Sequence, residues 1–143
     1  MVKIIIGSDH AGFNLKEKLK KYFDKKKIKY EDKGTYSLER VDYPDYAKKV
    51  ARRIVKDKNA RGILICGTGT GMVIAANKIK GVRAVVAYDN YSAKMSKKDN
   101  DANILALRGR YFSYKTIQQI VNTWLNSKFS GKSRHKNRIK KIG

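Results

Sequence analysis

The sequence predicts an α/β fold: a doubly wound, mainly parallel five-stranded sheet between two helix layers, which is a Rossmann-like three-layer sandwich. Its apolar runs are short, rich in β-branched residues and uninterrupted by polar ones, as strands covered on both faces are. Segments with apolar residues at helical spacing separate these runs. The 143 residues match the size of one domain, so we expect a single domain over 1–143 without a linker.

The strands are predicted from apolar runs at 2–6, 62–66, 82–87 and 104–107, with a weaker run at 28–30. Three helices are predicted from apolar stripes. The stripes comprise Leu15, Leu19, Tyr22 and Phe23; then Tyr46, Ala47, Val50, Ala51 and Ile54; and then Ile117, Ile120, Val121, Trp124 and Leu125. Further helical segments are expected at 72–78 and around 94–98. Strand and helix therefore alternate along the chain, which favours parallel strands.

The formal net charge is +22, from 34 Lys and Arg against 12 Asp and Glu, which raises nucleic-acid binding as an alternative function. The lysines are nevertheless spread over the helical segments, and the only concentrated cluster is the basic C-terminal tail at 128–143. No zinc-finger spacing or RNA-binding aromatic motif accompanies them. We therefore expect nucleic acid to bind only non-specifically, at low salt.

A single cysteine excludes an internal disulfide framework and agrees with a reducing compartment. No apolar segment approaches the length that spans a membrane, and the first residues are typical of a strand rather than a signal peptide. The expected location is the cytoplasm, with no membrane partner.

A glycine-rich run directly follows the apolar run at 63–66: Gly67-Thr68-Gly69-Thr70-Gly71-Met72. Such glycines allow a tight turn whose N–H groups bind an anion, and Cys66 lies at the junction, where α/β sheets bind ligands. A thiol there can act as base or nucleophile. The run lacks a Walker ending and lies too far along the chain for a dinucleotide fold. The alternative interpretation of Cys66 is a buried small hydrophobe.

Polar residues also follow or flank two other predicted strands. Asp9 and His10 lie within Gly7-Ser8-Asp9-His10-Ala11-Gly12, and the strand at 104–107 lies between Asp99-Asn100-Asp101-Ala102-Asn103 and Arg108-Gly109-Arg110. Helix capping by Ser8 or Asp9 and turn formation by the other polar residues are the alternatives to a functional role. Capping does not account for His10.

These motifs, together with Val41-Asp42-Tyr43-Pro44-Asp45-Tyr46-Ala47 and Ala75-Ala76-Asn77-Lys78, occur in the order and spacing of a known family. From residue 3 to residue 138 the chain resembles the type B ribose-5-phosphate isomerases, a family that includes the galactose-6-phosphate isomerase subunits. The resemblance implies interconversion of D-ribose 5-phosphate and D-ribulose 5-phosphate. It also implies no metal or organic cofactor, and homodimers or tetramers whose active sites are shared between subunits.

The resemblance further implies roles for individual residues. Cys66 would move a proton between C2 and C1 of the sugar through an enediolate. The backbone N–H groups of the loop and the Thr68 hydroxyl would bind the developing oxyanion. Asp9 would hold sugar hydroxyls and help to move a proton between their oxygens, and Asn100 would bind the intermediate. The loop residues expected to bind substrate are Gly67, Thr68, Gly69, Thr70 and Gly71.

The same resemblance implies that the substrate phosphate is bound by His10, Arg110, Arg134 and Arg138. Guanidinium groups suit a phosphate dianion. The tail keeps the Arg-His-x-x-Arg spacing of the family at 134–138, after an altered glycine-rich lead-in. A solvated basic tail is the alternative for these two arginines. Tyr43 is expected near the sugar, with a core aromatic as its alternative.

One position departs from the family. Many members have, at the position of Asp99, a histidine that opens the closed sugar ring, and a carboxyl group is a poor proton donor at neutral pH. Either Asp99 is held protonated, or His10 opens the ring, or the open-chain sugar is used; His10 is favoured. A six-carbon phosphate isomerase (galactose or allose 6-phosphate) and a non-catalytic anion-binding protein remain as alternative functions.

Overall fold

The computed structural model describes residues 2–143, which form one five-stranded sheet with helices on both faces. The strands are β1 (Lys3–Ser8), β2 (Tyr30–Asp32), β3 (Ala60–Cys66), β4 (Ala84–Val86) and β5 (Ile104–Arg108). The helices are α1 (Phe13–Lys25), α2 (Tyr43–Ile54), α3 (Thr70–Ala76), α4 (Asn90–Asn100), α5 (Tyr114–Leu125) and α6 (Ser133–Ile142). No helix within this part of the chain is both long and apolar enough to cross a bilayer.

All four strand pairings are parallel, and the strand order is β2-β1-β3-β5-β4. The chain thus builds outward from β1 to β2 and then continues on the opposite side of β1 with β3. This reversal is the switch point at which open α/β sheets bind ligands, beyond the carboxyl ends of the strands. Ser8 pairs with Ile65 there, so the loops after β1 and β3 emerge side by side.

Two apolar cores cover the two faces of the sheet. Side chains alternate along β1: Ile4 and Ile6 belong to the core formed with α1 and α5, whereas Ile5 belongs to the core formed with α2 and α3. Trp124 of α5 is the largest fully buried side chain. Both faces are therefore covered, as the predicted doubly wound class requires.

The predicted fold class is confirmed, and the sheet is wholly rather than mainly parallel. The element boundaries differ. β1 continues to Ser8 because the Ser8 N–H donates to the carbonyl of Gly34 at 2.7 Å. β4 is restricted to Ala84–Val86, where it pairs with β5 alone, and β2 lies two residues later than the run at 28–30. α3 begins at Thr70 and ends at Ala76, earlier than expected at both ends.

The tail at 128–143 is not only a basic extension, because most of it forms helix α6. His135 is the buried residue of this helix, while Arg134 and Arg138 are exposed. The helix contacts α4, and just before it the Ser130 N–H donates to the Lys98 carbonyl at 2.9 Å. Hydrophobic periodicity does not predict α6, since five of its ten residues are Lys or Arg and only two are apolar.

Candidate active site

The loop after β1 lies against the end of β3. The Asp9 N–H donates to the carbonyl of Ile65 at 3.1 Å, and the Asp9 carboxylate accepts from the Gly12 N–H at 3.0 Å. A Cβ on Gly12 would lie 2.4 Å from the Ile65 carbonyl oxygen, so only glycine permits this approach. Asp9 therefore does form a local turn at the start of α1, while the same turn fixes its carboxylate beside the next strand.

Cys66 ends β3 and is 5% exposed. Its Sγ accepts a hydrogen bond from the Gly69 N–H at 3.0 Å. Gly69 has φ +84°, and a Cβ there would lie 3.0 Å from Val86 and 3.1 Å from the Leu107 carbonyl oxygen, so the turn requires glycine. A backbone N–H directed at sulfur stabilises negative charge on it.

The rest of the glycine-rich loop is held by side chains. The Thr68 and Thr70 hydroxyls are 2.8 Å apart, and the Tyr88 hydroxyl donates to the Thr68 carbonyl at 2.9 Å. Both threonines are exposed to solvent. The loop thus presents hydroxyls and N–H groups to a ligand from a fixed backbone.

The loop after β5 brings Arg110 to the same place. The Gly109 N–H donates to the Cys66 carbonyl at 2.8 Å, and the Arg110 Nη1 lies 3.5 Å from where a Cβ on Gly67 would be. A Cβ on Gly109 would lie 2.7 Å from the Ala11 carbonyl oxygen. The loops that follow β1, β3 and β5 are therefore in van der Waals contact.

Tyr43 and His10 complete this cluster. A Cβ on Gly71 would lie 2.6 Å from Tyr43 Cε1, so the ring lies on the backbone of the loop; it is 39% exposed and not a core aromatic. His10 Nδ1 accepts from the Val41 N–H at 3.2 Å, which leaves the proton of a neutral ring on Nε2. We call the following residues the thiol cluster: Asp9, His10, Tyr43, Cys66, Gly67, Thr68, Gly69, Thr70, Gly71 and Arg110.

A second group, which we call the tail cluster, comprises Asp99, Arg134, His135 and Arg138 and lines a cavity of about 320 Å³ between α4 and α6. His135 is 8% exposed, and its Nε2 lies 3.4 Å from Asp99 Oδ1. The sequence prediction does not include His135, although its position between the two arginines is a signal for it. Asn100 follows Asp99 at the end of α4.

The two clusters are apart within one chain. The Asn103 carbonyl accepts from the Gly62 N–H at 2.8 Å, so the residues after α4 lie at the amino end of β3, whereas Cys66 lies at its carboxyl end. The separation of four positions between Gly62 and Cys66 corresponds to about 13 Å along a strand. Asp99 and Asn100 therefore do not join the thiol cluster of their own subunit.

Another cavity, of about 860 Å³, lies at the amino end of the sheet. Two of the cations that line it, Arg61 and Arg83, have partners within the chain. Arg61 donates to the carbonyls of Trp124 and Leu125, at 3.1 and 2.8 Å, and Arg83 donates to the carbonyls of Asn100 and Asp101. Burial lowers the pKa of the Arg61 guanidinium. These arginines donate to the last carbonyl groups of α5 and α4. Their presence in the cavity is therefore explained by helix capping.

The switch point of this sheet thus carries a thiol and a carboxylate in place of a nucleotide fingerprint, and that combination defines a class of Rossmann-like α/β enzymes that work on small anionic molecules. Within the class, a family model described as Ribose/Galactose Isomerase matches residues 4–142. The chain belongs to the ribose/galactose isomerase family.

Individual relatives agree over the full length. Ribose-5-phosphate isomerase B of Escherichia coli is 44% identical, covering 99% of this chain and 95% of its own. The crystal structure of a ribose 5-phosphate isomerase from Thermotoga maritima superposes with a TM-score of 0.95 and 51% identity, covering 99% and 97%. Ribose-5-phosphate isomerase B of Mycoplasma genitalium, solved with bound ribulose-5-phosphate, gives a TM-score of 0.94 at 37% identity, covering 99% and 93%.

Proposed function

We propose that this protein interconverts D-ribose 5-phosphate and D-ribulose 5-phosphate through an enediolate, with Cys66 as the base. The observation that carries the proposal is the Gly69 N–H donating to Cys66 Sγ at 3.0 Å, with the Asp9 loop bonded to the same strand end. The full-length similarity to proteins named ribose-5-phosphate isomerase B, one of them solved with ribulose-5-phosphate, supports this substrate.

The proposed reaction moves one proton from C2 to C1 of the open-chain sugar and a second proton from the C2 hydroxyl oxygen to the C1 oxygen. The Cys66 thiolate removes the C2 proton, and the resulting thiol returns it to C1 of the enediolate. The Gly69 N–H already donates to the Cys66 sulfur. The developing oxyanion would therefore be bound by the Thr68 hydroxyl and the neighbouring N–H groups of the loop. The Asp9 carboxylate, held by Gly12, would accept hydrogen bonds from the sugar hydroxyls and pass the proton of the C2 hydroxyl to the C1 oxygen.

The phosphate would bind at the far end of the sugar. Arg110 lies over Gly67 and can reach an anion in front of the loop. His10 is a suitable neutral donor through Nε2, because the Val41 N–H occupies Nδ1. Arg134 and Arg138 would supply the remaining positive charge, but only from another subunit.

We therefore propose a homodimer, or a tetramer of such dimers, in which the tail cluster of one copy completes the thiol cluster of the other. The separation of the two clusters within one chain supports this arrangement. Tyr88, Tyr91 and Tyr111 are exposed on segments that follow β4 and β5, next to the thiol cluster, as an interface would require. A base that must stay a free thiol also fits the reducing cytoplasm.

Turnover of ribose 5-phosphate by the purified protein in the presence of a chelator tests the proposal. We expect activity in wild type and a decrease in kcat of about a thousandfold in Cys66→Ala, because no other base replaces the thiol. Binding of inorganic phosphate should remain. Lys21→Ala, an exposed substitution on α1, is the control and should match wild type. Unchanged turnover in Cys66→Ala would remove the thiol from the mechanism.

A six-carbon phosphate is the second candidate substrate, because the family description covers galactose as well as ribose. Galactose 6-phosphate and allose 6-phosphate measured beside ribose 5-phosphate rank the three by kcat/KM. We expect ribose 5-phosphate to be preferred; a higher kcat/KM for either hexose would reassign the substrate while leaving the chemistry at Cys66 unchanged.

A further inference from the structure

One peptide unit of the glycine-rich loop is hydrogen-bonded at both of its polar ends. The Gly69 N–H donates to Cys66 Sγ at 3.0 Å, and the Tyr88 hydroxyl donates to the Thr68 carbonyl at 2.9 Å. The Thr68 carbonyl and the Gly69 N–H belong to the same amide group, which is planar and trans, so they point in opposite directions. Tyr88 and the Cys66 sulfur are therefore connected through a single amide by two hydrogen bonds.

Hydrogen bonds at the two ends of an amide strengthen each other. A donor at the carbonyl oxygen draws electron density toward that oxygen, so the N–H of the same amide becomes a stronger donor, by about 10–30%. A hydrogen bond that is made to the charged form of a group favours that form. The Tyr88 hydroxyl therefore acts on the charge of a sulfur atom that it does not touch.

We propose that Tyr88 is a positioning residue for Cys66. Through the peptide unit between Thr68 and Gly69, its hydroxyl directs the Gly69 N–H at the sulfur and increases the fraction of Cys66 that is present as thiolate. The consequence for catalysis rests on the proposed function, in which this thiolate is the base. Tyr88 gives no proton to the sulfur, and it contacts neither the sulfur nor the substrate.

The ring of Tyr88 is held for this role by Arg108, the last residue of β5. Arg108 Cζ lies 5.0 Å from the centroid of the Tyr88 ring and 4.8 Å from that of Phe112. The Arg108 Nε donates to the Arg110 carbonyl at 3.1 Å, so the guanidinium is itself fixed. A cation over the face of a phenol attracts its π electrons, which makes the hydroxyl a better donor. Although Tyr88 is 41% exposed, both its ring and its hydroxyl have partners.

Several charged or titratable groups surround Cys66, and Tyr88→Phe leaves their charges unchanged. They come from the segments around the loop: Asp9 and His10 after β1, Tyr43 on α2, Tyr88 after β4, and Arg108 and Arg110 at the end of β5. Helix α3, which follows the loop, contains none. Tyr88→Phe removes one hydroxyl and no charge, since a phenol is neutral below about pH 10. A change in the titration of the thiol in this variant therefore reports the hydrogen bond.

Titration of the thiolate tests the proposal without any substrate. The chain has one cysteine, so the ultraviolet absorbance of thiolate reports Cys66 alone once the same protein carrying Cys66→Ala is subtracted. We expect Tyr88→Phe to raise the midpoint pH of thiolate formation by about half a pH unit. Tyr30→Phe is the matched control, because it removes a hydroxyl that donates to Asp24 at 3.3 Å from edge strand β2. An unchanged midpoint in Tyr88→Phe, or an equal shift in Tyr30→Phe, would overturn the proposal.

Kinetics give a second readout, which a general loosening of the structure would not produce. Below the midpoint, half a pH unit corresponds to about a threefold smaller fraction of thiolate, so kcat of Tyr88→Phe for ribose 5-phosphate should fall about threefold, with KM within about twofold. Above the midpoint the deficit should disappear, because the thiol is ionised in both proteins. A deficit that persists at high pH would give Tyr88 a structural role only. If Cys66→Ala keeps its turnover, the proposed function fails, while the titration still decides this inference.

The part played by Arg108 is tested in two backgrounds. Arg108→Met removes the cation from the Tyr88 ring and also a positive charge from the strand position paired with Cys66. We expect it to raise the thiolate midpoint less in Tyr88→Phe than in wild type, since residues that act through one another are not additive. Equal shifts would show that Arg108 acts by its charge alone. Light scattering should give every variant the mass of wild type; a smaller assembly of Tyr88→Phe would assign its effect to a subunit contact and overturn the proposal.

Discussion

Glu31 illustrates how neighbouring cations set the charge state of a single residue. Hydrogen bonding from Lys33 is the main cause that lowers the pKa of Glu31 to about 2, and Lys3 and Arg53 add to it against the effect of burial. The three cations lie 2.5, 3.2 and 3.2 Å from the carboxylate oxygens. Since the ordinary value is 4.5, the folded protein keeps this carboxylate ionised where the unfolded chain does not.

The resulting pH dependence has a definite sign. Below pH 4.5 the unfolded chain binds a proton at Glu31, whereas the folded protein binds it only near pH 2. The stability that Glu31 contributes is therefore present above pH 4.5 and is lost as the pH falls to about 2. We expect Glu31→Gln to lower Tm by about 5 °C at neutral pH and progressively less in acid. Thermal unfolding across pH measures this, and exposed Glu39→Gln is the control. A deficit that stays constant with pH would contradict the charge explanation.

Tyr43 is a second residue whose role depends on its surroundings. The sequence is compatible with Tyr43 as a core aromatic or as a residue of the site. The choice depends on Gly71, whose missing side chain leaves room for the Tyr43 ring. That contact joins residues 28 positions apart in the chain, and no local pattern reports it.

Among the elements, α1 is attached to the edge strand β2 by charge as well as by apolar packing. Lys16 is fully buried, and its Nζ lies 2.5 Å from Asp32 Oδ2. Lys20 contacts the same oxygen at 2.9 Å. Burial acts to raise the pKa of Asp32, but the hydrogen bonds from Lys16 and Lys20 outweigh it and the pKa is lowered. The Asp32 carboxylate therefore stays ionised beside the two lysines.

Removing one member of this pair should be costly. Lys16→Met leaves the partly buried Asp32 carboxylate with one cation fewer, and we expect the free energy of unfolding to decrease by about 3 kcal/mol. Urea unfolding curves measure this decrease. Lys21→Met, exposed on the same helix, should change stability by less than about 0.5 kcal/mol. Equal stability of the two variants would show that Asp32 does not need Lys16.

Across the whole molecule, the main feature is that the two halves of the proposed site lie at opposite ends of the sheet. The thiol cluster follows the carboxyl ends of β1, β3 and β5, and the tail cluster lies between α4 and α6. α4 joins the two ends, and its 11 residues correspond to a length of about 16 Å. Assembly of two copies would complete two sites at once, since a two-fold contact repeats itself.

Subunit mixing tests this arrangement. Cys66→Ala lacks the base, and Arg138→Ala should raise KM about tenfold by weakening phosphate binding. Both should have low activity below KM. In a random mixture prepared by co-refolding, half of the dimers contain one subunit of each variant. Each of these dimers has one intact site out of two, so we expect about a quarter of wild-type activity. Activity no higher than the average of the separate variants would place each site within one chain.

The sequence by itself determined the fold class and the place of the Cys66 loop at the end of its strand. Alternating apolar runs and stripes report which face of each element is buried, and the Cys66 loop follows its strand directly. Only the tertiary structure decided that α6 is a helix on α4, that His135 lies against Asp99, and that Asp99 is remote from Cys66 of the same chain. These three features depend on contacts between distant segments of the chain and on the direction of the helices. The composition of the charged tail predicts neither the contacts nor the direction, because helix α6 is stabilised by packing rather than by its own sequence pattern.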